Sequence, residues 1–310
     1  MPRSLDSTSR VARELTKKAL RGYGIMTAAL RPGPDFVVIG AKRGGTTSMY
    51  NYLLEHRSIQ PLFPGPVGLK GPHFFDSEYS RGLSWYRSHF PLAVGGRHLA
   101  RPAIRPAICG EASPYYLFHP LAAERLASAF PDVRLIIMLR DPAERAFSHY
   151  KERVRHGAEN LSFEDALDAE PARLAGEEDR IRSEPGYCSA EHEDHSYVAQ
   201  GRYLDMLPRW LGLFSREQIY LGVSEDFYAG PGQVVNDVWA FLGLPPDTLR
   251  STRQYNYHPA ADLAPATRQR LRDTFAEHNQ QLADLLGRPL PWPAGSDQHQ
   301  QTAAAQGGAS

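Results

Sequence analysis

The chain has 310 residues, 42% hydrophobic and 23% charged, and its Lys and Arg balance its Asp and Glu to a net charge of +0. This composition suits one large or two small globular units, and the neutral balance argues against a chain-wide basic surface for nucleic acid. Cys109 and Cys188 form no metal-ligand spacing or disulfide framework, no run of about eighteen apolar residues offers a membrane span, and the first residues lack a signal peptide's apolar core; a cytoplasmic location is the expectation.

Residues 1–34 contain the basic, weakly amphipathic stretch RVARELTKKALRGYGIMTAALRP. It reads as an exposed helical arm, with a membrane-surface or partner-docking helix as the second reading. A folded domain is expected over 35–293. DFVVIG is a short β-branched run ending in Gly, a buried strand, and TTSMYNYLLEH follows with helical periodicity. A second strand lies in RLIIMLRDP (134–142). The next helix, DPAERAFSHYKERVRHG, has Asp141 as N-cap, Pro142 at its first position, Glu144 for a capping box and Gly157 as its stop. A third strand is expected over Ile219 to Val223, followed by the helices PGQVVNDVWAFLGLP and TRQRLRDTFAEHNQQLADLLG. The tail, 294–310, is too poor in apolar residues to pack and is expected to be disordered. Strands alternating with helices predict an α/β fold around a parallel sheet with right-handed crossovers.

Two places along this pattern suit anions. In GAKRGGTTSMY a strand ends in a glycine-rich loop that opens a helix, where backbone amides converge and the helix dipole adds positive charge. Gly40 and Gly45 have the spacing of a triphosphate loop, yet Thr46 and Thr47 replace its Lys-Ser/Thr, and the cations precede the glycines at Lys42 and Arg43. Gly44 and Gly45 permit close approach, while Thr46, Thr47 and Ser48 offer hydroxyls. The alternative is a tight turn with a solvated Lys-Arg pair. The second place is LRDPAERAFSHY. Arg140 lies just past a strand's carboxyl end, the edge where parallel sheets bind ligands, and Ser148 shares a helix face with Arg145. Arg140 and Ser148 would hold a second phosphate, unless Arg140 only pairs with Asp141.

The blocks GAKRGGTTSMYNYL, KGPHFFD, GEASPYYL, LRDPAERAFSHY and GRYLDMLPRWLGLFSREQIYLGVSEDF occur in this order over roughly residues 35 to 292. In this they resemble sulfotransferases, most closely the branch of heparan-sulfate-modifying enzymes and bacterial relatives. The resemblance implies a P-loop-like three-layer fold, a central parallel sheet flanked by helices. It implies 3′-phosphoadenosine 5′-phosphosulfate (PAPS) as donor, its phosphosulfate on the first loop and its 3′-phosphate on Arg140 and Ser148. It further implies a small-molecule or glycan acceptor, with transfer to a hydroxyl or an amine. Sulfuryl transfer resembles phosphoryl transfer, with a loose in-line transition state that needs cations, donors and a base; without a γ-phosphate no metal is obligatory.

Against that family pattern the chain departs at three positions. The catalytic lysine is replaced by Arg43, which can stabilise a leaving phosphate but donates no proton, with Lys42 beside it. Arg43→Ala is expected to lower kcat at least as much as Lys42→Ala. A glutamate base gives way to Gly71, leaving His73 as first candidate, oriented by Asp76, and Glu111 as second. Lys70 would lie beside the sulfuryl group. The lysine that follows Glu111 in relatives is Ala112 here, which leaves Glu111 the alternative of buttressing Lys42 or Arg43. Arg253, in RQYNYHP (253–259), would reach the 3′-phosphate in a nucleotide-covering loop, and an ordinary surface loop is the alternative.

The HEDH run at His192 to His195 lacks the His-Glu-x-x-His zinc spacing, so no metal is expected; it reads as a loop at the substrate mouth or a solvated charge run. Phe74, Trp85, Tyr86 and Arg87 would suit a sugar acceptor or be plain core and rim. Two other functions fit parts of this pattern. A nucleoside-phosphate kinase with an altered loop would need a Mg²⁺-holding Asp, and none is well placed. A non-catalytic nucleotide-binding protein would fit the losses at 43 and 71.

Overall fold

Five parallel strands form the central sheet in the order β2-β5-β1-β6-β7, comprising Phe36–Gly40 (β1), Ile59–Gln60 (β2), Ile108–Ala112 (β5), Arg134–Leu139 (β6) and Ile219–Val223 (β7). A two-residue pair, Ala93–Val94 (β3) and Arg97–His98 (β4), makes a separate antiparallel ribbon. The computed structural model describes residues 16, 18–64, 70–94, 97–98, 107–251 and 263–293. Arg253 and the 294–310 tail lie outside them.

The helices are α1 (residues 18–26), α2 (Thr46–Leu53), α3 (Leu83–Arg87), α4 (Ala122–Ala129), α5 (Pro142–Arg155), α6 (Phe163–Leu174), α7 (Glu177–Ser183), α8 (Ala190–Asp194), α9 (Tyr203–Leu211), α10 (Ser224–Ala229), α11 (Pro231–Phe241) and α12 (Pro265–Leu286). The period-2 alternation of β1 and β6 divides their side chains between two cores. Val37, Ile39, Leu135 and Ile137 pack with Leu126 of α4 and Met206, Leu207 and Trp210 of α9. Phe36, Val38, Ile136 and Met138 pack with Met49 and Leu53 of α2 and Val238 and Trp239 of α11. Both faces are therefore covered, which explains why these strands are apolar runs without polar alternation. The expected three-layer α/β fold is the one observed.

The three strands read from the sequence form, and β5 joins them as an additional central strand. Its sequence, ICGEA, is weak in β propensity, with Gly110 in the middle and a carboxylate beside it. The chain places β5 on one side of β1 and β6 on the other, so strand order reverses at the carboxyl end of β1. That reversal opens the crevice in which parallel sheets bind ligands.

In α5, Asp141 caps the helix by accepting from Ala143 N at 2.9 Å, and Pro142 occupies the first turn. Glu144 makes no capping box; its Oε1 accepts from Arg268 Nε of α12 at 2.9 Å. A tertiary charge has outcompeted the local backbone donor. The described part of the arm also differs from a free helix. Arg21 donates to Ser88 Oγ at 3.0 Å, and Arg31, 1% exposed, donates to Phe90 O and stacks on Phe63. Two of the cations that made the arm resemble a membrane-surface helix are thus turned into the protein. Among the described residues no helix is long and apolar enough to cross a membrane.

Candidate active site

The loop between β1 and α2 turns sharply enough to bring its backbone against β6. Gly45 has φ +82°, and a Cβ on Gly44 would lie 2.2 Å from Met138 O, so side-chain-free backbone is required there. Arg43 is also left-handed, with φ 72°, an uncommon conformation for a residue other than glycine. Thr46 and Thr47 open α2 and line the cleft, so the positive end of the helix dipole lies at its wall. That cleft, about 930 Å³, is lined by Gly45, Thr46, Thr47, Lys42, Arg43 and Lys70, among others. Gly44 and the fully buried Ser48 stand behind its wall.

The left-handed Arg43 makes the two adjacent cations diverge. Lys42 Nζ donates to Glu193 O at 3.1 Å and Oε1 at 3.3 Å, and lies 3.5 Å from Asp194 Oδ1. Arg43 turns to α5, where Nε donates to Ser148 Oγ at 3.0 Å and Nη1 to Glu152 Oε1 at 3.0 Å. Lys70 arrives from the other side and donates to Thr47 Oγ1 at 2.9 Å. Its pKa is lowered to about 8, first by burial, with Arg43 and Lys42 adding repulsion against the pull of Glu152.

Arg140 and Ser148 both line the cleft, as their spacing predicts. Arg140 does not pair with Asp141; its Nη1 donates to Arg43 O at 3.3 Å, while the Asp141 carboxylate caps α5. Arg145, on the same helix, is fully buried and donates to Lys42 O at 3.4 Å and to Tyr197 O. It braces the β1–α2 loop, a role its helical spacing from Ser148 does not announce.

His73 lines the cleft with φ 51°, and its Nδ1 lies 2.9 Å from Asp76 Oδ2. Nδ1 is engaged, so Nε2 is the nitrogen available to a ligand. Burial alone would lower the His73 pKa, but the hydrogen bond and charge of Asp76, helped by Glu193 and Glu111, outweigh it and raise the pKa. His73 N donates to Ser113 Oγ at 3.1 Å, and Ser113 Oγ donates to Glu111 Oε2 at 2.7 Å. Glu111 is fully buried, and also accepts from Tyr86 OH at 3.2 Å. Burial pushes its pKa up to about 7. It lies off the cleft wall, and its hydrogen-bond partners are the hydroxyls of Ser113, Tyr86 and Tyr116; neither Lys42 nor Arg43 is among them. Gly71 has no room for a carboxylate, since a Cβ there would fall 2.3 Å from Ala112 O.

The HEDH run divides by chemistry. His192 packs on Phe118 and meets Tyr115 OH at 2.8 Å, and His195 is held by Glu191 and Ala158 O, so both histidines are structural. Glu193 reaches the cleft wall, and Asp194 pairs with Arg153. Among the described residues no group of three His, Cys, Asp or Glu could hold a metal ion. Phe74 and Tyr86 stack at 4.8 Å inside the core, which excludes them from an acceptor surface. Glu152 and Tyr228 are wall residues that sequence reading passed over, whereas Glu193 lies in the run read as a loop at the substrate mouth. Glu152 alone had a signal, four residues past Ser148 on one helix face.

A model of the sulfotransferase domain matches residues 33–278. A crystallised sulfotransferase from Alicyclobacillus acidocaldarius is 31% identical, with a TM-score of 0.59, over 83% of this chain and 97% of that one. Human bifunctional heparan sulfate N-deacetylase/N-sulfotransferase 3 is 29% identical over 73% of this chain and 23% of that protein. The membrane-associated sulfotransferase kil1 of Dictyostelium discoideum is 24% identical over 84% of this chain and 66% of that protein. The chain spans less than a third of the length of the heparan-modifying relatives it matches. With the domain match running across most of its length, the chain belongs to the sulfotransferase family and is a transferase.

Proposed function

We propose that the protein moves a sulfuryl group from PAPS to a hydroxyl or amine of a carbohydrate, lipid or other natural-product acceptor by in-line transfer. One observation carries this reading: a single cleft joins a glycine- and hydroxyl-bearing loop to two sets of cations, Lys70 on Thr47 and Arg43 on Ser148, with Arg140 on the Arg43 carbonyl. A nucleotide with anionic groups on both the 5′ and 3′ positions of one ribose matches that spacing of charge. The heparan-modifying relatives support a carbohydrate among the acceptor classes.

In the reaction, an acceptor O–S or N–S bond forms as the bridging S–O bond to the 5′-phosphate breaks. His73 takes the acceptor proton on Nε2, with Asp76 fixing the ring and stabilising the imidazolium. Thr47 and Lys70 steady the transferring sulfuryl oxygens, while Lys42 and the α2 amides receive the charge that grows on the leaving phosphate. Nothing in these steps requires a covalent enzyme intermediate.

Calorimetric titration of the full chain with adenosine 3′,5′-bisphosphate and with ATP, both without Mg²⁺, tests the donor. Preferential binding of the bisphosphate is expected. Equal or tighter binding of ATP would refute the reading.

A further inference from the structure

We propose that Glu152 is a built-in competitor for the donor's 3′-phosphate, setting how tightly the nucleotide is held and how fast its product leaves. The inference rests on the reading of the donor as a 3′-phosphorylated adenosine nucleotide.

The geometry on α5 carries it. Arg145, Ser148 and Glu152 follow one another at helical spacings of three and four, on the face turned to the phosphate loop. Arg43 crosses that face and meets two different groups with one guanidinium, Ser148 through Nε and Glu152 through Nη1, each at 3.0 Å. A guanidinium fork of this kind also takes two phosphate oxygens, so the Glu152 carboxylate sits where an incoming anion would bind. Its second oxygen lies 3.4 Å from Arg153 Nη2. Burial would raise the Glu152 pKa, yet Arg43, Arg153 and Lys42 outweigh it and hold the group below the usual carboxylate range, so it is ionised at neutral pH.

Arg140, Arg153, Arg155 and Lys151 line the same cleft, whose acids are Glu144, Glu152, Glu193 and Glu225, and Glu152 is the one that meets Arg43. A phosphate of about two negative charges satisfies those cations better than one carboxylate, so it binds, but against an internal rival. Adenosine 3′,5′-bisphosphate, the product, carries that same phosphate. Glu152 therefore weakens product retention as well as donor binding and acts on turnover through release. Glu193 and Asp194 hold Lys42 in a similar way, but the Lys42 position also serves the transferring end, which makes Glu152 the cleaner case.

Adenosine 3′,5′-bisphosphate and adenosine 5′-monophosphate, titrated into full-length wild type and Glu152→Gln, separate this role from a structural one. Glu152→Gln is expected to bind the bisphosphate about fivefold tighter while its affinity for the monophosphate stays within about twofold. Glu152→Asp, which keeps the charge but draws it back by one methylene, is expected to fall between and serves if the glutamine variant folds poorly. Unchanged or weaker bisphosphate binding in a folded variant, or an equal change for both nucleotides, would overturn the inference. A wild type that does not prefer the bisphosphate would remove the donor reading itself, and the inference with it.

Discussion

His73 and Asp76, three residues apart in one loop, are joined by a 2.9 Å contact between Nδ1 and Oδ2. The carboxylate is buried and the imidazole reaches the cleft, so the pair holds one ring tautomer and stabilises the protonated ring. Because the His73 pKa is raised, the base form needs a higher pH than an ordinary histidine would. The ascending limb of kcat/KM is expected above about pH 6.5, and Asp76→Asn should move it downward while lowering kcat. A limb unchanged in Asp76→Asn would separate this pair from the proton transfer.

Lys70 sets the opposite limb. In the proposed mechanism its cation steadies the sulfuryl oxygens, and its pKa near 8 would make that charge fall away as pH rises through about 8. Activity should therefore decline above that pH, and Lys70→Arg, which keeps its charge throughout, should remove the decline while reducing kcat through altered geometry. The pH–rate profile of the two proteins checks this.

Lys42 and Arg43 are expected to fail differently. The sequence puts Arg43 at the catalytic lysine's position, but its side chain is committed to Ser148 and Glu152 on α5. Arg43→Ala should therefore mainly raise KM for the donor and abolish preference for the 3′-phosphate, which replaces the expectation from sequence that it lowers kcat at least as much as Lys42→Ala. Lys42→Ala should mainly lower kcat, by roughly a hundredfold if it stabilises the leaving group. Steady-state kinetics with the donor as varied substrate distinguish the two patterns.

Glu111 predicts a stability effect. Its pKa of about 7 in the fold exceeds its ordinary 4.5, so the unfolded chain releases that proton first. Stability is lost as pH rises from about 4.5 to about 7, by on the order of 3 kcal/mol. Glu111→Gln should flatten that loss, raising Tm relative to wild type more at pH 7.5 than at pH 5. Thermal melts at the two values suffice.

Position 71 should reject the glutamate that the family resemblance would place there. A Cβ there meets Ala112 O at 2.3 Å and Ser113 Oγ at 2.4 Å, so Gly71→Glu is expected to destabilise by roughly 1–3 kcal/mol and add no activity. A chemical denaturation curve and an activity assay of the variant measure both.

Much of this arrangement was legible in the residues. The β1 and β6 runs, the Asp141-Pro142 helix start and the glycine-rich turn are local signals, and each formed where its chemistry pointed. What stayed hidden depends on side chains that meet from distant segments. ICGEA becomes a central strand only because β1 and β2 pair with it. Arg145 reads as one more helix cation until the fold buries it and the Lys42 carbonyl accepts from it. Glu144 satisfies a capping pattern, yet Arg268, 124 residues away, takes its carboxylate. The direction of Arg43 follows from a single φ of 72°, which no composition or spacing encodes.

The most direct test of the central claim is mass spectrometry of glycan, lipid and metabolite pools incubated with the full chain and PAPS. The account predicts acceptors heavier by one sulfate with equimolar adenosine 3′,5′-bisphosphate released, and loss of both in His73→Ala. Consumption of ATP in place of PAPS, or no sulfated product from any pool while the bisphosphate still binds, would contradict it.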